Sequence, residues 1–130
     1  MCIFCEIVKG DIPSSIVYED EDTLAILDLS QTTKGHTLVM PKKHYNNFLE
    51  MPEEEFKALA GKAQKIGKLL MEKLHAEGMN ALINTNEVAG QTIMHTHIHL
   101  IPRYSANDTV SFSFSENHLD LNEVLNEIKA

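Results

Sequence analysis

The sequence predicts an α+β fold: one antiparallel β-sheet of about five strands, with one long helix and one or two short ones. Three observations lead there. Short alternating apolar segments occur at 15–29, 35–43 and 81–103, each bounded by turn residues. A single long stretch, 52–77, changes to a helical period. The connections between segments are short, as hairpins allow and parallel crossovers do not. No internal repeat, low-complexity tract or Gly/Ser linker divides the 130 residues, so 1–130 is expected to form one domain, with 105–130 as a C-terminal tail ending in a short helix.

The elements follow in order. Residues 2–9 are an apolar stretch suited to a helical turn. SIVYED (15–20) and TLAILDL (23–29) are strand-like and flank an acidic turn, EDED, at 19–22. In GHTLVMPKK (35–43), His36, Leu38 and Met40 share one face and Thr37 and Val39 the other, with Pro41 ending the run. From Pro52 to about Glu77, residues Phe56, Leu59, Ala60, Ala63, Ile66, Leu70 and Leu74 form one helical stripe. Pro52 suits the first turn, Glu53, Glu54 and Glu55 its positive end, and Gly78 the stop. ALINTN (81–86) is a strand, Gly90 a turn, and QTIMHTHIHLIPR (91–103) the last strand. Ser105 to Asn117 is polar. Asp120 and Glu123 are spaced as a capping box ahead of Leu121, Val124, Leu125 and Ile128.

Composition narrows the function. The 43% apolar and 23% charged content is that of an ordinary globular protein. No apolar run approaches the roughly 20 residues of a membrane span, and no basic region precedes an apolar leader, so the expected location is cytoplasmic. Nineteen acids against eleven bases give a net charge of −8. That balance argues against nucleic acid and anionic membranes as partners, while a small phosphorylated ligand needs only a locally positive pocket. Two cysteines, Cys2 and Cys5, are too few and too close for a structural disulfide in a reducing compartment. They are redox-active, half of a metal site, or small hydrophobes.

Two motifs compete for attention. GKAQKIGKL (61–69) superficially resembles a phosphate-binding loop, but five residues separate its glycines where the motif has four, Leu69 replaces Ser or Thr, and the segment lies within the helical stripe. MHTHIHLIPRY (94–104) is more informative. Strand geometry puts His95, His97 and His99 on one face and Thr96, Ile98 and Leu100 on the other. Isolated histidines such as His75 and His118 are read as ordinary. Three in alternation point to a metal site or to catalysis. One ion shared by all three is strained, because His95 and His99 lie roughly 13–14 Å apart at Cα along a strand while a Zn–N bond is about 2.1 Å. A central imidazole as nucleophile, flanked by hydrogen-bond donors to a developing phosphate charge, fits the spacing better.

HTHIHLI (95–101) resembles the His-φ-His-φ-His-φ-φ signature of the histidine triad (HIT) family of nucleotidyl hydrolases and transferases, with Thr96 departing from the hydrophobic φ. FCEIVKGDIPSSIVYEDE, AILDLSQTTKGHTLVMPKKH and GMNALINTNEVAGQTIMH resemble family segments in family order, so the likeness runs from about Cys2 to Arg103.

The resemblance implies a HIT-like fold and a mechanism. His97 would attack the α-phosphorus of a nucleotide derivative, forming a nucleotidyl-histidine that water hydrolyses to a nucleoside monophosphate. His99 would contact the phosphate or the leaving group. His36 would orient His97 and hold a charge partner. The His95 carbonyl would hold His97 in the attacking tautomer. Asp28 would accept from the ribose hydroxyls. Phe4, Ile7 and Leu29 would form the apolar slot for the base. Asn84, Gln91 and Thr92 would surround the phosphate and leaving group, with Gly90 allowing close backbone approach.

Some bacterial members of the family bind zinc through an N-terminal Cys-x-x-Cys. That pattern maps to Cys2, Cys5, His44 and His95, a complete tetrahedral set and therefore a structural site. No organic cofactor is implied.

The implied partners are a purine nucleotide, as an AMP or GMP derivative, and a second copy of the chain in a homodimer whose tail reaches the neighbouring site. His99 excludes the uridylyltransferase branch, whose motif ends in Gln. KGDIPSSIVYED favours a purine nucleoside phosphoramidase; IPRY and the tail favour a dinucleoside polyphosphate hydrolase or a bacterial group of mixed character. The alternatives are a nucleotide-binding sensor or a zinc-stabilised interaction module without turnover. A redox Cys-x-x-Cys protein is disfavoured, because no βαβ context surrounds Cys2.

Overall fold

A computed structural model describes residues 1–130. Its elements are α1 (Ile3–Lys9), β1 (Ile16–Glu19), β2 (Thr23–Leu27), β3 (Thr37–Pro41), a 3-10 turn (Phe48–Glu50), α2 (Glu53–Leu74), β4 (Gly78–Ile83), a second 3-10 turn (Glu87–Ala89), β5 (Ile98–Arg103) and α3 (Leu121–Lys129). The five strands form one sheet in the order β1-β2-β3-β5-β4, every neighbouring pair antiparallel. One helix is long and two are short, as the sequence predicts.

The sheet has two covered faces. On one, Leu59, Ala63, Ile66 and Leu70 of α2 pack on Ala25, Val39, Ile98 and Leu100. These helix residues are the predicted stripe, and burying each of its leucine and isoleucine side chains is worth about 1.5–3 kcal/mol. On the other face, Phe4 of α1 covers Leu24, Ile26, Leu38 and Met40. Strands β2 and β3 are therefore buried on both sides. The second face, beneath α1, carries the histidines.

Three boundary assignments differ from expectation. Helix α2 stops at Leu74, because His75 adopts the left-handed conformation (φ 55°) and caps it. Gly78 does not end the helix; it opens β4, paired with Arg103. Pro41 is the last residue of β3, ending the run as expected. Strand β5 begins at Ile98, not near Gln91. Beyond Arg103 the chain is irregular to Asp120, whose carboxylate caps α3 by accepting from the Asn122 and Glu123 amides. The apolar side chains of α3 (Leu121, Val124, Leu125 and Ile128) are exposed. No helix is long and apolar enough to cross a membrane.

Candidate active site and metal centre

The late start of β5 has a cause in its neighbour. Val39 pairs with Ile98, so the same register sets Pro41 opposite Thr96. Proline has no N–H to continue the ladder. Residues 91–97 are held by other bonds instead. Gln91, fully buried, accepts from the Asn86 amide at 2.8 Å and donates to the carbonyls of Asn46 (2.5 Å) and Ile93 (3.0 Å). The amide and hydroxyl of Thr96 both donate to the Tyr45 carbonyl, at 2.7 and 3.0 Å.

His97 leads into β5 on the α1 face. Its Nδ1–H donates to the His95 carbonyl at 2.7 Å, which leaves Nε2 with a free lone pair. The Phe4 ring stands edge-on to it, centroids 5.1 Å apart at 88°. The His99 ring lies 4.9 Å from that of His97. His99 Nδ1 is 3.0 Å from His36 Nε2. The Thr32 amide donates to His36 Nδ1 at 3.4 Å, so His36 carries its proton on Nε2 and gives it to His99. His99 then holds its own proton on Nε2. The expected contact between His36 and the nucleophile is thus a contact with His99. Asp28 completes the group, with Oδ2 3.6 Å from His36 Nε2 and Oδ1 accepting from the Ser30 amide. Gln31 ties the loop behind it, donating to the carbonyls of Asp28 and His36. Gly35, at φ 92°, makes the turn into His36 in a conformation that suits glycine.

Burial is the largest influence on all three imidazoles and disfavours their cations. It lowers His97, against an opposing pull from its carbonyl acceptor and Asp28. It lowers His36, partly offset by Asp28. His99 is pushed down to about 4 by burial, then by repulsion from His97 and His36. The cluster is neutral at neutral pH, with one unshared lone pair on His97 and one unshared N–H on His99.

The remaining predicted site residues divide. Phe4 is buried under the histidines, Ile7 is half-buried beside it, and Leu29 is fully exposed next to Asp28. Asn84 donates to the Gly90 carbonyl at 3.4 Å, and Gly90, at φ 102°, closes the loop before Gln91. The Gln91 amide is turned into that loop. Thr92 is exposed and lines a hollow beside Cys2, Cys5 and His44. Thr32, Tyr45 and Asn46 were not anticipated, because they act mainly through backbone atoms that leave no mark in a sequence.

The four predicted metal ligands converge. Cys2 Sγ lies 3.4 Å from His95 Nδ1, Cys5 Sγ 3.4 Å from His44 Nδ1 and 3.6 Å from His95 Nδ1, and all four donor atoms fall within 4.8 Å of one another. A tetrahedral zinc with bonds of about 2.3 Å to sulfur and about 2.1 Å to nitrogen requires S···N edges of about 3.6 Å. The donor set fits that ion. Both histidines are tuned for it: His95 Nε2–H donates to the Pro41 carbonyl at 2.8 Å and His44 Nε2–H to Asn46 Oδ1 at 3.0 Å, so each turns a bare Nδ1 inward. Helix α1 supplies the sulfurs from its first turn, where Cys2 Sγ also accepts from the Cys5 amide. Four protein ligands leave no open coordination position, so an ion here would be structural.

The largest concavity lies elsewhere, on the α2 face. It is a groove of about 1060 Å³ between α2 and the edge strand β4, lined by Phe48, Phe56, Met71, Met79, Leu82 and their neighbours. None of the histidines lines it; their cluster lies across the sheet from it.

Comparison with known proteins agrees with this geometry. Residues 9–106 match the family described as HIT domain. SMU.412c from Streptococcus mutans superimposes with a TM-score of 0.92 at 47% identity, covering 98% of this chain and 83% of that one. A zinc-bound histidine triad family protein from Mycobacterium smegmatis is similar at 42% identity and a TM-score of 0.79, covering 89% of this chain and 84% of that one. The adenylylsulfatase HINT3 of Arabidopsis thaliana is 39% identical over 102 residues, covering 78% of this chain and 52% of that longer protein.

Proposed function

The chain belongs to the HIT domain family, and from that premise we propose that it is a nucleotidyl hydrolase or transferase acting at the α-phosphate of purine nucleotide derivatives. The bond from His97 Nδ1 to the His95 carbonyl carries this reading. It assigns the proton to one ring nitrogen and frees the other for attack. His97 Nε2 forms a bond to the α-phosphorus. The bond to the leaving group breaks, and that group departs with its electron pair, its developing charge hydrogen-bonded by His99 Nε2–H, and takes its proton from solvent. Water then attacks phosphorus and displaces His97, which regains its lone pair. One proton of that water passes to solvent, the other stays on the new phosphate oxygen, and a nucleoside monophosphate is released. Neutral imidazoles suit every step: a protonated His97 has no lone pair to give.

Asp28 would accept from the ribose hydroxyls, and Phe4, Ile7 and Leu29 would bound the base. A relative named adenylylsulfatase supports an adenylyl group as the part recognised, with the leaving group open to variation. The candidates are a phosphoramidate amine and the distal half of a dinucleoside polyphosphate. We assign zinc to Cys2, Cys5, His44 and His95, supported by the donor geometry and the zinc-bound neighbour. A homodimer accounts for the apolar groove beside edge strand β4, and the tail would extend to the partner's site.

The test is AMP release from an adenosine phosphoramidate and, separately, from a diadenosine polyphosphate, by wild type and His97→Ala. Turnover lost in the variant, with an adenylylated His97 trapped from wild type by acid quench, is the expected result. AMP binding without turnover of either substrate would defeat the enzyme reading and favour a nucleotide sensor.

A further inference from the structure

We infer that the metal cluster is part of the machinery that positions the nucleophile, with Cys2, Cys5 and His44 acting on His97 through the peptide between His95 and Thr96. This rests on the reading of His97 as nucleophile. The carbonyl of that peptide accepts from His97 Nδ1 at 2.7 Å, and its N–H donates to the Tyr45 carbonyl at 2.7 Å. One flat unit therefore sets the tautomer of His97. The metal ligands sit at both anchors of that unit: His95 supplies its carbonyl, and His44 precedes the Tyr45 that holds its N–H. An ion bonded to both Nδ1 atoms ties residues 44 and 95 together and fixes the plane from two sides.

The same ion grips the nucleophile from a third direction. Cys2 and Cys5 bracket Phe4 on α1, and Phe4 stands edge-on to both His95 (5.9 Å, 77°) and His97 (5.1 Å, 88°). Pulling the two sulfurs onto the ion seats Phe4 against the His97 ring. The His95 ring is fully buried and tethered at its far nitrogen by Pro41, so it transmits displacement instead of absorbing it. A cluster serving only to pin the N-terminus would need neither the shared residue His95 nor the shared pair 44–45.

The experiment compares the zinc-loaded protein, the chelator-treated protein, Cys5→Ser and Cys5→His, the last retaining four ligands. Nitrogen-15 NMR of the imidazoles reads the His97 tautomer without substrate. Nucleotide binding and the rate of His97 adenylylation are measured on the same samples. Losing the ion should convert His97 from Nδ1–H alone to a mixture of tautomers. It should slow adenylylation about tenfold or more, the usual cost of losing an outer-shell partner. Cys5→His with zinc should restore both tautomer and rate.

Should the ion-free forms unfold, cadmium replaces zinc in the wild type: its longer bonds should shift the His97 nitrogen signals and slow adenylylation in a folded protein. An unchanged tautomer and rate in folded ion-free protein, or in the cadmium form, would overturn the inference. A protein that turns over no substrate would defeat the hydrolase reading, yet the tautomer comparison would still decide this one.

Discussion

His36 Nε2 and His99 Nδ1 meet at 3.0 Å, one imidazole handing its proton to the next, with Asp28 3.6 Å from the donor. The pair is stable only while both rings are neutral. In the unfolded chain His99 titrates at its ordinary 6.5; in the fold it is held at about 4 by burial and by its histidine neighbours. Between those values the unfolded chain binds a proton that the folded chain refuses. Stability must therefore fall as pH drops through that window and level off below it. His36 is lowered as well and adds in the same direction. Urea melts at a series of pH values should place the loss between about 6.5 and about 4. His99→Gln should make it shallower; an equally steep loss in that variant would put the titration elsewhere.

The proposed reading gives Asp28 two duties, and substitution separates them. Asp28→Asn removes the charge that favours protonation of His36, His97 and His99, so these rings move further down and stay neutral at neutral pH. The chemistry should survive, and the loss should fall on ribose recognition. A hydrogen bond to a charged acceptor is worth about 1.5–3 kcal/mol, so nucleotide affinity should weaken by about 10- to 100-fold. A 2′,3′-dideoxynucleotide should bind wild type and variant alike. A variant that loses affinity equally for both ligands would remove Asp28 from ribose binding.

The groove between α2 and β4 should be closed by a second copy. Met71 and Leu82 line it and are only partly buried within one protomer. Met71→Glu should leave the helix content intact and shift sedimentation from dimer to monomer, since an unpaired carboxylate in an apolar interface is strongly disfavoured. A wild type that sediments as a monomer at micromolar concentration would refute the assignment of this face.

Much of this was legible from the residues, for reasons that particular positions make clear. The stripe from Leu59 to Leu70 announces a helix packed on one side, because no other structure puts those residues together. Its end was misplaced because His75 takes the left-handed conformation that Gly78 was expected to supply. The alternation of His95, His97 and His99 reads as continuous strand, and from His97 onward it behaves as one. What stops it earlier is Pro41, more than fifty residues away, whose missing N–H matters only once the strands are in register. The convergence of Cys2, Cys5, His44 and His95 was available only through likeness to a family, since spacing cannot say which distant segments meet. Thr32 and Tyr45 hold the histidines with an amide and a carbonyl that every residue possesses.

Strand β5 lies between β3 and β4 although both precede it in the chain. During synthesis the first four strands emerge with a gap where the fifth must enter, and β4 has no neighbour until it does. His97 arrives at the entrance to that same strand. An unfinished chain therefore lacks the histidine cluster as well as a closed sheet: one late segment completes both.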